Sequence, residues 1–122
     1  MASLPDPKRG PRVKDPDLLA QLHIEWRGDC VLADLGDCVS WFSLDHIHPK
    51  PRDDVRANLA MLCGDGVTGH HGLKHAHDRK TCQAYAAYLI EERLDTMAYL
   101  GAKLGGVLAV KEWLRSQLYA TI

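Results

Sequence analysis

Apolar and polar positions along the chain divide it into three stretches. Upstream, Asp15-Pro16-Asp17 reads as a helix start, with proline in the first turn and acids favoured there. Leu18, Leu19, Leu22 and Trp26 give that helix an apolar stripe, and Gly28 ends it. In the middle, residues 39–47 are rich in Val, Trp, Phe and Ile, which fits a strand. Pro49 and Pro51 break it, and Asp53-Asp54 opens a loop. Residues 57–62 form a short apolar run that can return as a second strand, with Asn58 at its start. Gly69 then permits a turn into a helix carrying His71 and His75.

Downstream the spacing becomes helical throughout. Asp78 is expected to cap a longer helix ending at Arg93, in which Cys82, Tyr85, Ala86, Leu89 and Ile90 recur on one face. Asp95 is expected to cap a short helix to Lys103, stopped by Gly105-Gly106. A last helix over 107–119 has Val107, Val110, Trp113, Leu114 and Leu118 as its buried stripe. The expected class is α+β, with strand, loop, strand, helix at the centre. Residues 1–15 read as a basic, extended arm, 16–80 as the core, and 81–122 as a helical brace of the same domain. The brace carries no evident chemistry; it is either packing or a docking surface for protein or DNA.

The central stretch holds the reactive groups. Asp45 can hold a divalent cation, since carboxylates suit hard and borderline metals. His46, titrating near neutrality, can take a proton from water. Asn58, 12 residues on, can accept from the other ring nitrogen of His46 and fix its tautomer. His71 and His75 share a helix face, where both can reach a metal or a phosphate. On a strand His48 would point to the same side as His46 and competes with it as the base. Threaded through this set, Cys30 and Cys38 precede the Asp-His strand and Cys63 and His70 follow Asn58. Two ligand pairs flanking a hairpin suit a tetrahedral structural zinc of Cys3His type. Both gaps exceed the usual ligand spacing, but Asp34, Gly36, Gly64-Asp65-Gly66 and Gly69 let them fold back. Cys82 reads as a small buried helix residue.

At these residues the chain resembles the HNH endonucleases, also called the ββα-metal nucleases, especially small zinc-stapled members from phages and bacteria. The matching pieces are Gly28-Asp29-Cys30, Cys38, Leu44-Asp45-His46-Ile47, Asn58-Leu59-Ala60-Met61-Leu62-Cys63-Gly64 and Gly69-His70-His71-Gly72. Where this chain has His70 the related variant more often has cysteine. The likeness covers roughly residues 10–80. It implies a ββα-metal, treble-clef-like nuclease core with a structural zinc, flanked by an N-terminal helix and C-terminal helices. It also implies roles: His46 as general base, Asn58 as its orienter, and Asp45 and His71 as ligands of a catalytic Mg2+, Mn2+, Ni2+ or Zn2+. His75 would be a further ligand or phosphate contact. The implied activity is one-metal hydrolysis of DNA. Two other readings stay open: a zinc module that recruits DNA or protein without cutting, and the same chemistry on RNA.

Composition changes this picture little. The chain has 122 residues, 46% hydrophobic and 25% charged, and suits one globular domain. A formal charge of −1 gives no global footprint for nucleic acid, whose binding draws on phosphate neutralisation. Charge is uneven, however: Lys8, Arg9, Arg12 and Lys14 form a basic arm, and Arg52, Arg56 and Lys74 are candidate phosphate contacts. Four cysteines without a signal peptide or a membrane-length apolar run point to a reducing cytoplasm, that of the host if the gene is viral.

Overall fold

Helix α1 (Pro16–Glu25) begins where the Asp15 carboxylate turns back to accept from the Leu18 N–H at 3.0 Å. Pro16 is tolerated at that first position because its missing N–H would have no helical partner anyway. The computed structural model describes residues 14–118, with the Leu118 side chain excluded, so Lys8, Arg9, Arg12 and Tyr119 lie outside the described residues. After α1 the chain passes Cys30, a 3-10 turn (Ala33–Leu35) and Cys38 before entering strand β1 (Phe42–His46). Strand β2 (Leu59–Cys63) pairs antiparallel with it, placing Asp45 opposite Ala60 and His46 opposite Leu59. Four helices follow: α2 (Gly69–His75), α3 (Arg79–Glu92), α4 (Leu94–Leu104) and α5 (Val107–Leu118). Five helices and a two-stranded sheet among the described residues make the fold α+β.

Every residue of β2 is buried, because one face meets α2 and the larger helices close over it. Ala60 and Leu62 join Cys82, Tyr85, Ala86 and Leu89 of α3, Leu100 of α4, and Val110 and Leu114 of α5 in one cluster. The helical pattern of α3 is thus spent on the core, Cys82 included. Asp78 caps α3, its carboxylate accepting from the Thr81 N–H at 3.1 Å.

Local detail departs from the sequence pattern at four places. Strand β1 starts at Phe42, because Val39 and Trp41 belong to the approach from Cys38. Asp95 does not cap α4. Only Arg93 separates α3 from α4, so Asp95 already lies in the first turn, where it accepts from Arg93 Nε at 3.0 Å. Val107 is 55% exposed: directly after the Gly105-Gly106 turn it faces solvent, and the buried stripe of α5 is Val110 and Leu114 with Trp113 half-buried.

The fourth departure is Asn58. It is fully buried in a 3-10 turn (Arg56–Asn58) just before β2, and it does not bond to His46. Its Oδ1 accepts from the His48 N–H at 2.7 Å, and its Nδ2 donates to the His48 and Asp53 carbonyls at 3.1 and 3.0 Å. The amide stitches the loop between the strands because it alone offers a donor pair and an acceptor inside that loop. Asn58→Ala should therefore cost about 2–4 kcal/mol, three net hydrogen bonds of roughly 1 kcal/mol each plus orphaned backbone groups. Chemical denaturation measures this, and unchanged stability would refute the stitching role.

Candidate functional site

Three sulfurs converge on one imidazole nitrogen. Sγ of Cys63, Cys30 and Cys38 lie 3.2, 3.4 and 3.6 Å from His70 Nδ1. Zinc–sulfur bonds of about 2.3 Å and zinc–nitrogen bonds of about 2.0–2.1 Å give tetrahedral S–N edges of about 3.6 Å. The four donor atoms all lie within 4.8 Å of one another and none of the cysteines is in a disulfide, so this Cys3His group can hold a metal such as zinc. The wide Cys63–His70 spacing closes because of two local devices. Gly64, at φ +84°, sits where a Cβ would lie 2.0 Å from the Thr68 carbonyl oxygen. Asp65 Oδ1 accepts from the Val67 and Thr68 N–H groups, both at 2.9 Å. On the other side, the Val31 N–H donates to the Met61 carbonyl at 3.0 Å and ties the Cys30 loop to β2. Burial raises the Cys30 thiol pKa. Burial followed by the neighbouring sulfurs pushes Cys38 up to about 12. Burial opposes ionisation of Cys63 too, but N–H donors from His70 and Val39 outweigh it and lower that thiol. Metal uptake by this group must therefore release protons.

The second group is Asp45, His71 and His75, whose ligand atoms also lie within 4.8 Å of one another. Strand period places Ser43 and Asp45 on the same face of β1, toward α2. Ser43 Oγ donates its one proton to the Gly64 carbonyl at 2.7 Å and lies 2.5 Å from His71 Nδ1. It must accept there, so His71 carries its proton on Nδ1. A neutral His71 then turns a lone pair on Nε2 toward Asp45 Oδ1, 3.4 Å away. Two acceptors facing each other across that gap suit a cation between them. His75 stacks on His71 with ring centroids 4.8 Å apart and puts its Nε2 3.8 Å from the same oxygen. Burial, then the charge of Lys74, lowers the His75 pKa and favours the neutral, ligating form.

Asp45 is 2% exposed, and burial alone would raise its pKa. Lys74 and Tyr85 donate to it and help to outweigh burial, so that its pKa comes down to about 2. Tyr85 Oη donates to Oδ2 at 2.7 Å, and Lys74 Nζ lies 3.0 Å from Oδ1. Tyr85 thus belongs to the site as well as to the core.

His46 has a different partner from the one expected. Its Nε2 lies 2.8 Å from Asp54 Oδ1, and Asp54 Oδ2 accepts from the Asp15 N–H at 2.8 Å. Burial opposes ionisation of Asp54, but these donors outweigh it and keep its pKa below the ordinary carboxylate value. An ionised carboxylate only accepts, so a neutral His46 holds its proton on Nε2 and keeps Nδ1 as its acceptor nitrogen. His48 is turned away from this centre. Strand β1 ends at His46, and the His48 ring instead stacks on Trp113 of α5.

Asp45, His46, His71 and His75 line one cleft of about 470 Å³, with Arg52, Lys74 and Trp113 also on its walls. Arg56 is not among those walls. It pairs with Glu25 at 2.5 Å and lies over the Trp26 ring, beside a separate hollow. Three residues of the centre escape a pattern reading. Ser43 was accessible through its i, i+2 relation to Asp45. Asp54 and Tyr85 are long-range partners that only the folded chain brings in. No family model matches the sequence, no curated protein matches it, and no solved structure matches the fold.

Elemental analysis should find one zinc per chain, lost in Cys63→Ala together with much of the folding free energy. Retention of both metal and stability by that variant would show the tetrad to be misassigned. Lys74→Ala should destabilise the protein by up to about 3 kcal/mol, because it strips a buried carboxylate of its ammonium. Manganese should then raise the melting temperature of this variant more than that of the parent. An equal response in the two proteins would argue against a cation site at Asp45.

Proposed function

We propose that the chain is a metal-dependent DNA endonuclease of the HNH, or ββα-metal, type. The zinc tetrad, the β1–β2 pair and α2 would form its zinc-stapled core. The observation that carries this reading is the shared cleft: His46, with Nδ1 as its acceptor nitrogen, opens into the same space as Asp45, His71 and His75.

The donor set fits a divalent cation of the hard or borderline kind: one carboxylate and two imidazoles, one of them held in the ligating tautomer by Ser43. Bound there, the cation would supply Lewis-acid stabilisation of charge on the phosphate and on the departing 3′ oxygen. The chain's own residues do the remainder. His46 Nδ1 accepts a proton from water as that water attacks phosphorus in line. Asp54 keeps the imidazole in the correct tautomer and stabilises the imidazolium that forms. Arg52, exposed at the rim, adds positive charge where the phosphate enters. The products are a 5′-phosphate and a free 3′-hydroxyl. The likeness to HNH sequences and this geometry support the same assignment of His46, Asp45 and His71 on separate grounds.

Nicking of supercoiled plasmid should occur with magnesium, manganese or nickel. His46→Ala should slow it by about 100-fold or more, the usual share of a general base, with zinc content unchanged. Asp54→Asn should cost about 10–100-fold, as loss of an outer-shell partner does. If the parent cuts with none of these metals, a zinc module that binds without cutting is the better description.

A further inference from the structure

The cleft extends past the carboxylate and histidines to a wall that phosphodiester hydrolysis does not use. Trp113 of α5 forms part of it. Behind the indole stands His48, stacked with ring centroids 4.9 Å apart and planes 19° from parallel. His48 does not line the cleft whereas Trp113 does, so the indole has one face backed by a ring and another border on the open space. His48 Nδ1 is buried with no hydrogen-bond partner among the described residues, and burial, then Lys103, lowers its pKa. The ring behind Trp113 is therefore an uncharged, stacked support. One helical turn on, Gln117 lines the same cleft and is exposed.

We infer that Trp113 and Gln117 form a subsite for one unpaired nucleobase, so that the cleft takes single-stranded nucleic acid with its phosphate at Asp45, His71 and His75. This rests on the phosphodiester-cleaving reading and names its substrate class. A volume of about 470 Å³ suits a small ligand rather than a rod. A base-paired duplex turns its bases inward and offers an indole only sugar and phosphate. An unpaired nucleotide offers a flat π face to Trp113, a hydrogen-bonding edge to the Gln117 amide, and a phosphate to the cation site. The indole already packs face to face on His48, which reduces the side-chain ordering that stacking a base would cost. The formal charge of −1 fits the same picture, since stacking supplies affinity that phosphate neutralisation cannot.

The test uses the whole chain carrying His46→Ala, which keeps oligonucleotides intact, with its zinc in place. Fluorescein-labelled oligothymidylate should bind at least about ten-fold tighter single-stranded than annealed to oligodeoxyadenylate, the worth of one base–aromatic stack. Oligouridylate in a parallel arm separates DNA from RNA as the source of the base. Single strands should also quench tryptophan emission saturably. Trp113→Phe, which keeps an aromatic core contact, should retain binding and lose the quenching. Trp113→Ala should lose about ten-fold in single-strand affinity and nothing for duplex. Equal affinity for duplex, quenching that survives Trp113→Phe, or a Trp113→Ala loss shared by both substrates overturns the subsite. Plasmid nicking without single-strand preference would overturn this inference and spare the nuclease reading. Single-strand binding by a chain that never cuts would do the reverse.

Discussion

The convergence of three sulfurs on His70 Nδ1 is the constraint on which the rest of this molecule depends. A two-stranded sheet is marginal in water by itself. Here its two strands are joined by a long loop that contains two prolines. The tetrad closes the far end of the sheet: Cys30 and Cys38 arrive from before β1, while Cys63 ends β2 and His70 opens α2. It thereby fixes where α2 starts. Because His71 is the next residue, the same closure aims the second cluster at β1.

Burial of Asp45 gives the second centre its character. A carboxylate at 2% exposure is costly unless compensated, and the surrounding donors more than compensate it. Lys74 of α2 and Tyr85 of α3 are those donors, so the charge itself holds these helices against β1. Lys74 and His71 meet the same oxygen, Oδ1. That atom balances an ammonium against an imidazole in a space where a divalent ion would satisfy both the carboxylate and the ring.

Much of this was legible in the sequence because it depends on short-range rules. The caps at Asp15 and Asp78, the strand around Asp45, the turn at Gly69 and the membership of both clusters follow from residue type and spacing. The i, i+4 relation of His71 and His75 survives as a ring stack. What spacing could not give was the partner of a side chain across the fold. Asn58 and Asp54 lie four residues apart in one loop, and either could have met His46; the loop's own backbone claimed the amide. His48 looked equivalent to His46 under strand period, but the strand stops between them. Arg56 looked like a phosphate contact until Glu25, 31 residues earlier, was found beside it.

The neighbouring acids Asp53 and Asp54 reach in opposite directions. Asp53 receives Tyr99 Oη and lies 3.2 Å from Lys103 Nζ, both on α4, while Asp54 receives the backbone of Asp15 at the head of α1. Two consecutive residues thus fasten the histidine-bearing loop to helices from both flanks of the chain. The portability of the central motif suffers accordingly. Transplanted alone into another scaffold, it would bring every ligand atom along and leave behind the anchors that keep the imidazole still.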